Sequence, residues 1–201
     1  MALVFFGYFH YMQFQESDLF FNFGPEWMAR KYDKHRFYSR LSGVGLKAVD
    51  FITISNDNQL VLWEVKNFSR REAAHSHDPL KRIIEQESEF SSAMGQKVKD
   101  TFTALSAIHQ YYRRKWSYRL RHWSMSYLQT LRTDWYFWLK AYQLASDPNH
   151  CRFILIMETD ETHRLPDVYP PIKLELQQWV HQIDILDVNQ ANDIEGITVT
   201  V

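Results

Sequence analysis

A single cysteine, Cys151, leaves the chain with no internal disulfide framework, and no secretion signal precedes it. That pattern suits a reducing cytoplasm, with Cys151 as a core thiol. The 6 glycines and 6 prolines are scattered, with no Gly/Ser/Pro-rich linker, repeat or low-complexity tract to divide the 201 residues. One domain is therefore expected, long enough to bury a core without staples. No apolar run is long enough to cross a bilayer. The opening stretch, Met1 to Met12, is apolar and aromatic, but it lacks the basic region and small-residue cleavage site of a leader. A soluble protein is expected, with Met12 as an alternative start and no membrane partner.

Acidic residues are missing from Thr101 to Thr133, where Arg113, Arg114, Lys115, Arg119, Arg121 and Arg132 carry all the charge. From Glu158 onward the balance reverses, with many acids against Arg164 and Lys173 alone. A net charge of -1 excludes a uniformly basic polyanion binder, yet one part of the chain is basic and another acidic. Aromatic residues are abundant at 16%, and rings at that density must be buried, paired or used.

Asp18 to Leu41 reads as helical in its later part. Pro25 suits a first turn, Trp27, Met28 and Tyr32 recur at helical spacing, and Glu26 lies at the start. Gly43 and Gly45 end it. Leu46 to Ile54 and Leu60 to Val65 are rich in Val, Ile, Phe and Trp and read as strands. The Asn56-Asp57-Asn58 tripeptide between them reads as a hairpin turn, because Asn and Asp tolerate left-handed backbone. Ser69 to Pro79 reads as a loop, Leu80 to about Gln110 as a helix bent near Gly95, and Trp116 to Ala145 as a second long helix. A long aromatic and basic helical segment thus spans about 101–145. Arg152 to Glu158 is an apolar strand, Pro166 to Pro171 a loop, Ile172 to about Val180 a helix, and Ile183 to Val188 a last strand. This order is α/β, a central mixed sheet flanked by helices.

A three-residue turn at 56–58 sets Ser55 opposite Gln59, Ile52 opposite Leu62, Asp50 opposite Glu64 and Ala48 opposite Lys66. Alternation then places Ala48, Asp50, Ile52, Ile54, Leu60, Leu62, Glu64 and Lys66 on one face. Two carboxylates and an ammonium gather at one end of an apolar face, while Val49, Phe51, Val61, Trp63 and Val65 make the other face apolar too. Directly opposed side chains stand roughly 5 Å apart at Cβ, where like charges repel unless something compensates. A divalent cation would do so, since Mg²⁺ takes carboxylate oxygens at roughly 2 Å. The alternative is an ion pair of Asp50 and Lys66 beside Glu64 at a wet sheet edge.

The segments Gly45-Leu46-Lys47-Ala48-Val49-Asp50-Phe51 and Trp63-Glu64-Val65-Lys66-Asn67 resemble the PD-(D/E)xK nuclease superfamily. In that family an Asp on one strand and a (D/E)xK on the next form the active site. The likeness covers about residues 26–67, and Val49 stands where the motif has Pro. It implies a restriction-endonuclease-like fold and metal-assisted phosphodiester hydrolysis, with Asp50, Glu64 and Lys66 catalytic. Asp50, Glu64 and the Val65 carbonyl would hold one or two Mg²⁺ or Mn²⁺ ions, Glu26 would add a further acid, and Lys66 would position or help deprotonate the attacking water. Gln86 and Gln96 fall on the helix where some such families place a Gln near the site.

Nucleic acid, DNA before RNA, is the expected partner, with a homodimer as a possible assembly. Lys47, Lys97, Arg113, Arg114, Lys115, Arg119 and Arg121 are the candidate contacts. Around the last five, Tyr111, Tyr112, Trp116, Tyr118, Trp123 and Tyr127 supply rings for base stacking. The competing reading is an amphipathic helix with its rings in the core and its arginines in water. His75, His77 and Asp78 form a further small cluster without the spacing of a zinc site. A second reading of the whole chain is a catalytically inactive nuclease-fold module that binds nucleic acid or protein.

Overall fold

The β-branched and aromatic stretches on either side of Asn56-Asp57-Asn58 form antiparallel strands, β4 (Phe51–Ser55) and β5 (Leu60–Asn67). The register is the one the three-residue turn dictates: Phe51 faces Trp63, Ile52 faces Leu62 and Ile54 faces Leu60. The Ser55 N–H donates to the Gln59 carbonyl at 3.0 Å and Asn58 takes a φ of 59°, the left-handed residue such a loop needs.

The computed structural model describes residues 11–68, 83, 85–114, 133–159 and 165–201. Before the hairpin lie β1 (Met12–Glu16), β2 (Leu19–Phe23), β3 (Trp27–Lys31) and a short helix α1 (Arg36–Leu41). After it come α2 (Glu87–Arg113), α3 (Asp134–Ala145), β6 (Cys151–Glu158), α4 (Leu165–Leu176), β7 (Gln182–Leu186), α5 (Val188–Ala191) and β8 (Ile197–Thr200). The fold is mixed α/β with two sheets. One has the order β3-β4-β5-β6-β7, antiparallel through β5 and parallel from β5 to β7; the other is the antiparallel β1-β2-β8. Among the described residues no helix is long and apolar enough to cross a membrane.

The five-stranded sheet is covered on both faces, which explains why its central strands read as almost continuous apolar runs. Ile52, Ile54, Leu60 and Leu62 bury against Met94, Val98, Leu105 and Ile108 of α2, Phe137 and Trp138 of α3, and Ile172 and Leu176 of α4. Phe51, Val61, Trp63 and Val65 bury against Phe21, Phe23 and Val199 of the small sheet. Trp63 is fully buried, so its indole N–H must find an acceptor, and it donates to Thr53 Oγ1 at 2.8 Å.

Several expectations change. The region 18–41 holds two strands, β2 and β3, and only its end, Arg36–Leu41, is helix. Leu19, Phe21 and Phe23 alternate inward at period 2, and Pro25 sits in a turn closed by the Trp27 N–H on the Gly24 carbonyl at 3.0 Å. The helical spacing of Trp27, Met28 and Tyr32 was a coincidence of a strand followed by a turn. Helix α2 runs unbroken through Gly95. A Cβ there would stand 2.6 Å from Glu175 Cγ, so the glycine admits α4 rather than bending α2. The expected continuous helix from Trp116 is excluded at Thr133, whose extended backbone and hydroxyl cap the start of α3. Pro166, Pro170 and Pro171 lie in α4, not in a loop. Burial of Ile172 and Leu176, with the Tyr169 hydroxyl on the Ile183 carbonyl at 2.8 Å, holds the segment despite the two missing N–H donors of Pro170 and Pro171. Strand β7 is followed by β8, which joins β2.

Gly45 ends the turn after α1 with φ +86°, and nothing lies within 4 Å of where a Cβ would stand. Its role is conformational. Gly45→Ala is expected to destabilise the protein by about 1 kcal/mol, the cost of a left-handed L-residue. Urea unfolding checks this, and an unchanged midpoint would refute it.

Candidate active site

The ladder between β4 and β5 ends in an irregular way at Asp50. Its N–H donates to the Trp63 carbonyl at 2.9 Å and its own carbonyl turns to β3, accepting the Tyr32 N–H at 2.8 Å. The partner that β5 loses on that edge is replaced by a side chain: Asp50 Oδ2 accepts the Val65 N–H at 2.8 Å. In a strand the N–H and C=O of one residue point to the same neighbour, so the Val65 carbonyl faces the Asp50 edge as well. On its other edge β5 continues pairing with β6 as far as Asn67 opposite Glu158. The sheet therefore opens at 64–67, beside the carboxyl end of a parallel strand pair, where α/β sheets bind ligands.

Glu64 is in phase with Leu60 and Leu62 and faces α2. It is 0% exposed, an expensive place for a carboxylate. Two ammonium groups meet its Oε1: Lys97 Nζ at 2.6 Å from α2, and Lys66 Nζ from the same strand. Its Oε2 is buried and has no hydrogen-bond partner. Asp50 is only partly exposed, and burial first, then the charge of Glu64, pushes its carboxyl up to about 7 against the opposing pull of Lys97, the Val65 N–H and Lys66.

Asp134 shows what a satisfied carboxylate looks like in this chain. Burial pushes it up as well, but hydrogen bonds from His35 and Arg30 and their charges outweigh that and hold it at about 2. Trp138 Nε1 donates to it at 3.1 Å. Asp134 is complete in itself, whereas the pair of Asp50 and Glu64 carries an orphaned buried oxygen and a carboxyl forced toward its neutral form. A divalent cation between Asp50 and Glu64 would answer both, and the Val65 carbonyl points to the same edge. Among the described residues no group of three or more His, Cys, Asp or Glu side chains forms a metal cluster. The residues that fit a cation here are two carboxylates and a carbonyl, with water and substrate oxygens to complete its shell.

Helix α2 holds the loop that delivers Asp50. Buried Asp100 accepts the Lys47 N–H at 2.9 Å and Gln96 Nε2 at 2.7 Å, and the Thr101 hydroxyl faces the Val49 N–H at 3.4 Å. This clamp draws Val49 into the helix-side core, although strand alternation had set it on the opposite face. Lys97, Asp100 and Thr101 sit at i, i+3 and i+4, a polar stripe inside the buried face of α2, and that spacing is the signal by which the sequence could have revealed them.

No known protein family, curated protein or solved structure matches the chain.

Asp50, Glu64, Lys66 and Lys97 are brought together, and Lys97 belongs to this site rather than to an outer surface. Glu26 does not belong to it. It precedes Trp27, which pairs with Ser55 at the opposite end of the strands from Asp50, more than about 15 Å away at 3.3 Å per residue. Its carboxylate lies over Gly24 and Gly196. The helix meant to aim it at the site is strand β3, so its expected metal role is withdrawn. Gln96 serves the Asp100 clamp, and Gln86 precedes α2. Lys47 is exposed with its N–H pinned. Arg113 and Arg114 are exposed at the far end of α2, about 24 Å along the helix from Lys97. Lys115, Arg119, Arg121, His75, His77 and Asp78 lie outside the described residues.

Proposed function

We propose that this chain is a divalent-metal-dependent nuclease that hydrolyses phosphodiester bonds, in DNA before RNA, on a restriction-endonuclease-like core. The observation that carries the reading is the buried, unpartnered Oε2 of Glu64 beside Asp50 at the point where the sheet opens. Both lysines engage Glu64 Oε1, which leaves Oε2 bare. The mixed sheet supports the same reading, with an antiparallel hairpin leading into parallel strands and the motif residues on its helix-covered face.

In this reading Asp50, Glu64 and the Val65 carbonyl hold Mg²⁺ or Mn²⁺. When bound, the ion supplies Lewis acidity to a phosphate oxygen and eases deprotonation of a water. Asp50 is fixed for that task by the Val65 N–H, and the Asp100 clamp fixes its loop. Lys66 presents a cation on the same face, suited to orient the attacking water and to meet negative charge as it grows on phosphorus. The burial of Glu64 excludes water from one side of the site, which strengthens each of these interactions.

The second reading, an inactive binding module on the same fold, draws on one observation: two lysines already occupy Glu64 Oε1, so the site is electrically close to balanced without metal. Incubating the purified protein with linear, nicked, branched and single-stranded substrates in Mg²⁺ and Mn²⁺ decides between them. Metal-dependent cleavage is expected, and its absence on every substrate would leave the module.

Binding has its own test. Replacing Arg113 and Arg114 with Ala is expected to weaken binding across all sequences and to flatten its salt dependence by up to about two units, roughly one per lost phosphate contact. An unchanged slope in a folded variant would return both arginines to solvated surface.

A further inference from the structure

Glu64 Oε1 is held by two cations where one would neutralise it. Lys66 reaches it from two residues along the same strand; Lys97 reaches it from α2, bridging the space between helix and sheet, and remains 23% exposed. With both acids ionised, Asp50 and Glu64 balance Lys66 and Lys97. A divalent ion entering there places two further positive charges next to an ammonium that already occupies a ligand oxygen.

We propose that Lys97 couples metal binding to phosphate binding by exchanging partners: it rests on Glu64 when the site holds no cation, and moves to a non-bridging oxygen of the substrate phosphodiester when a divalent ion takes Glu64. This rests on the nuclease reading above. The lysine side chain suits such an exchange, being a compact charge on a flexible four-carbon stem with three donors and no fixed fork. Its backbone does not move with it. The Lys97 carbonyl accepts the Thr101 hydroxyl at 2.8 Å, and Val98 next to it is fully buried, so the exchange is confined to the side chain. Metal alone must displace Lys97 into water, whereas metal with a phosphodiester gives it a new anionic partner. Each ligand therefore strengthens the other by the same factor.

The test measures Ca²⁺ binding by calorimetry, alone and with a short duplex, on the wild type, Lys97→Met and Lys97→Arg. The wild type is expected to bind Ca²⁺ about tenfold more tightly with the duplex present, and the duplex about tenfold more tightly with Ca²⁺. Lys97→Met keeps the length of the stem but removes the competing charge. It should bind Ca²⁺ alone about tenfold more tightly than the wild type and show less coupling, while Lys97→Arg retains the coupling. In the wild type, the Lys97 Nζ resonance should shift on adding Ca²⁺ and again on adding duplex, a readout that needs no variant to fold. If Lys97→Met binds Ca²⁺ no more tightly, or if the Nζ signal stays still, the exchange is refuted while metal-dependent cleavage by the wild type stands. If the wild type binds no Ca²⁺ at all, the nuclease reading falls and the exchange with it.

Discussion

Asp50→Asn is expected to reduce Mg²⁺-dependent cleavage by at least about 10³-fold, the equivalent of roughly 4 kcal/mol of lost transition-state stabilisation. The fold should survive, because the Asn carbonyl oxygen can still accept the Val65 N–H that Asp50 Oδ2 accepts at 2.8 Å. Stability should respond in the opposite direction from activity. Burial and Glu64 raise Asp50 from 3.8 to about 7, so the folded protein holds a proton that the unfolded chain releases. That contribution is fully present below about pH 4 and is lost as pH rises toward 7. Three units at about 1.4 kcal/mol each give a ceiling near 4 kcal/mol, and the partial exposure of Asp50 lowers it to about 1–2 kcal/mol. Without metal, Asp50→Asn should therefore be more stable than the wild type at pH 8 by about that amount and lose the advantage at pH 4. Urea unfolding at the two pH values reads this directly. The same proton competes with metal, so Mg²⁺ affinity of the wild type should weaken as pH falls through about 7. Cleavage by Asp50→Asn at the wild-type rate would remove Asp50 from the site.

Glu64→Gln should differ from Asp50→Asn in the sign of its stability effect. Metal binding and cleavage are both expected to disappear, because the orphaned Oε2 and the doubly held Oε1 belong to one carboxylate. Here, however, the lost charge was compensated. Lys66 and Lys97 give up their charge-assisted partner, and since both remain partly exposed they recover some hydration. The net loss should be about 1–3 kcal/mol. A differential scan without metal against one with Mg²⁺ should show a metal-dependent rise in melting temperature for the wild type and none for the variant. A Glu64→Gln protein as stable as the wild type would mean that the lysines do not depend on Glu64.

The hairpin was legible because it is governed by local rules. The three-residue turn sets the register from Ile54 opposite Leu60 to Phe51 opposite Trp63, so the pairing of Ile52 with Leu62 follows from counting, whereas Asp50 stands beyond the end of that ladder and reaches Glu64 from a loop that α2 holds. Lys97 was harder to see. Its partner lies 33 positions away in the chain, and only the crossing of α2 over the end of β5 brings them together. Glu26 failed for the complementary reason: its placement depended on the preceding segment being a helix, and a period-2 pattern in Leu19, Phe21 and Phe23 was outweighed by a short coincidence at Trp27, Met28 and Tyr32. Gly95 and Pro170 read as breakers because the sequence cannot show that α4 crosses at Gly95 or that buried neighbours hold Pro170 in place.

By itself, the sequence determined a mixed α/β chain and an antiparallel hairpin whose register puts Glu64 and Lys66 on one face of β5, since turn length and side-chain alternation act over a few residues and need no distant partner. Only the tertiary structure decided that β1, β2 and β8 form a second sheet over the aromatic face, that Glu26 lies at the wrong end of the strands, and that Glu64 is fully buried with Lys97 on one oxygen and nothing on the other. Burial and charge pairing depend on which distant segments are packed together, and that is a property of the assembled core.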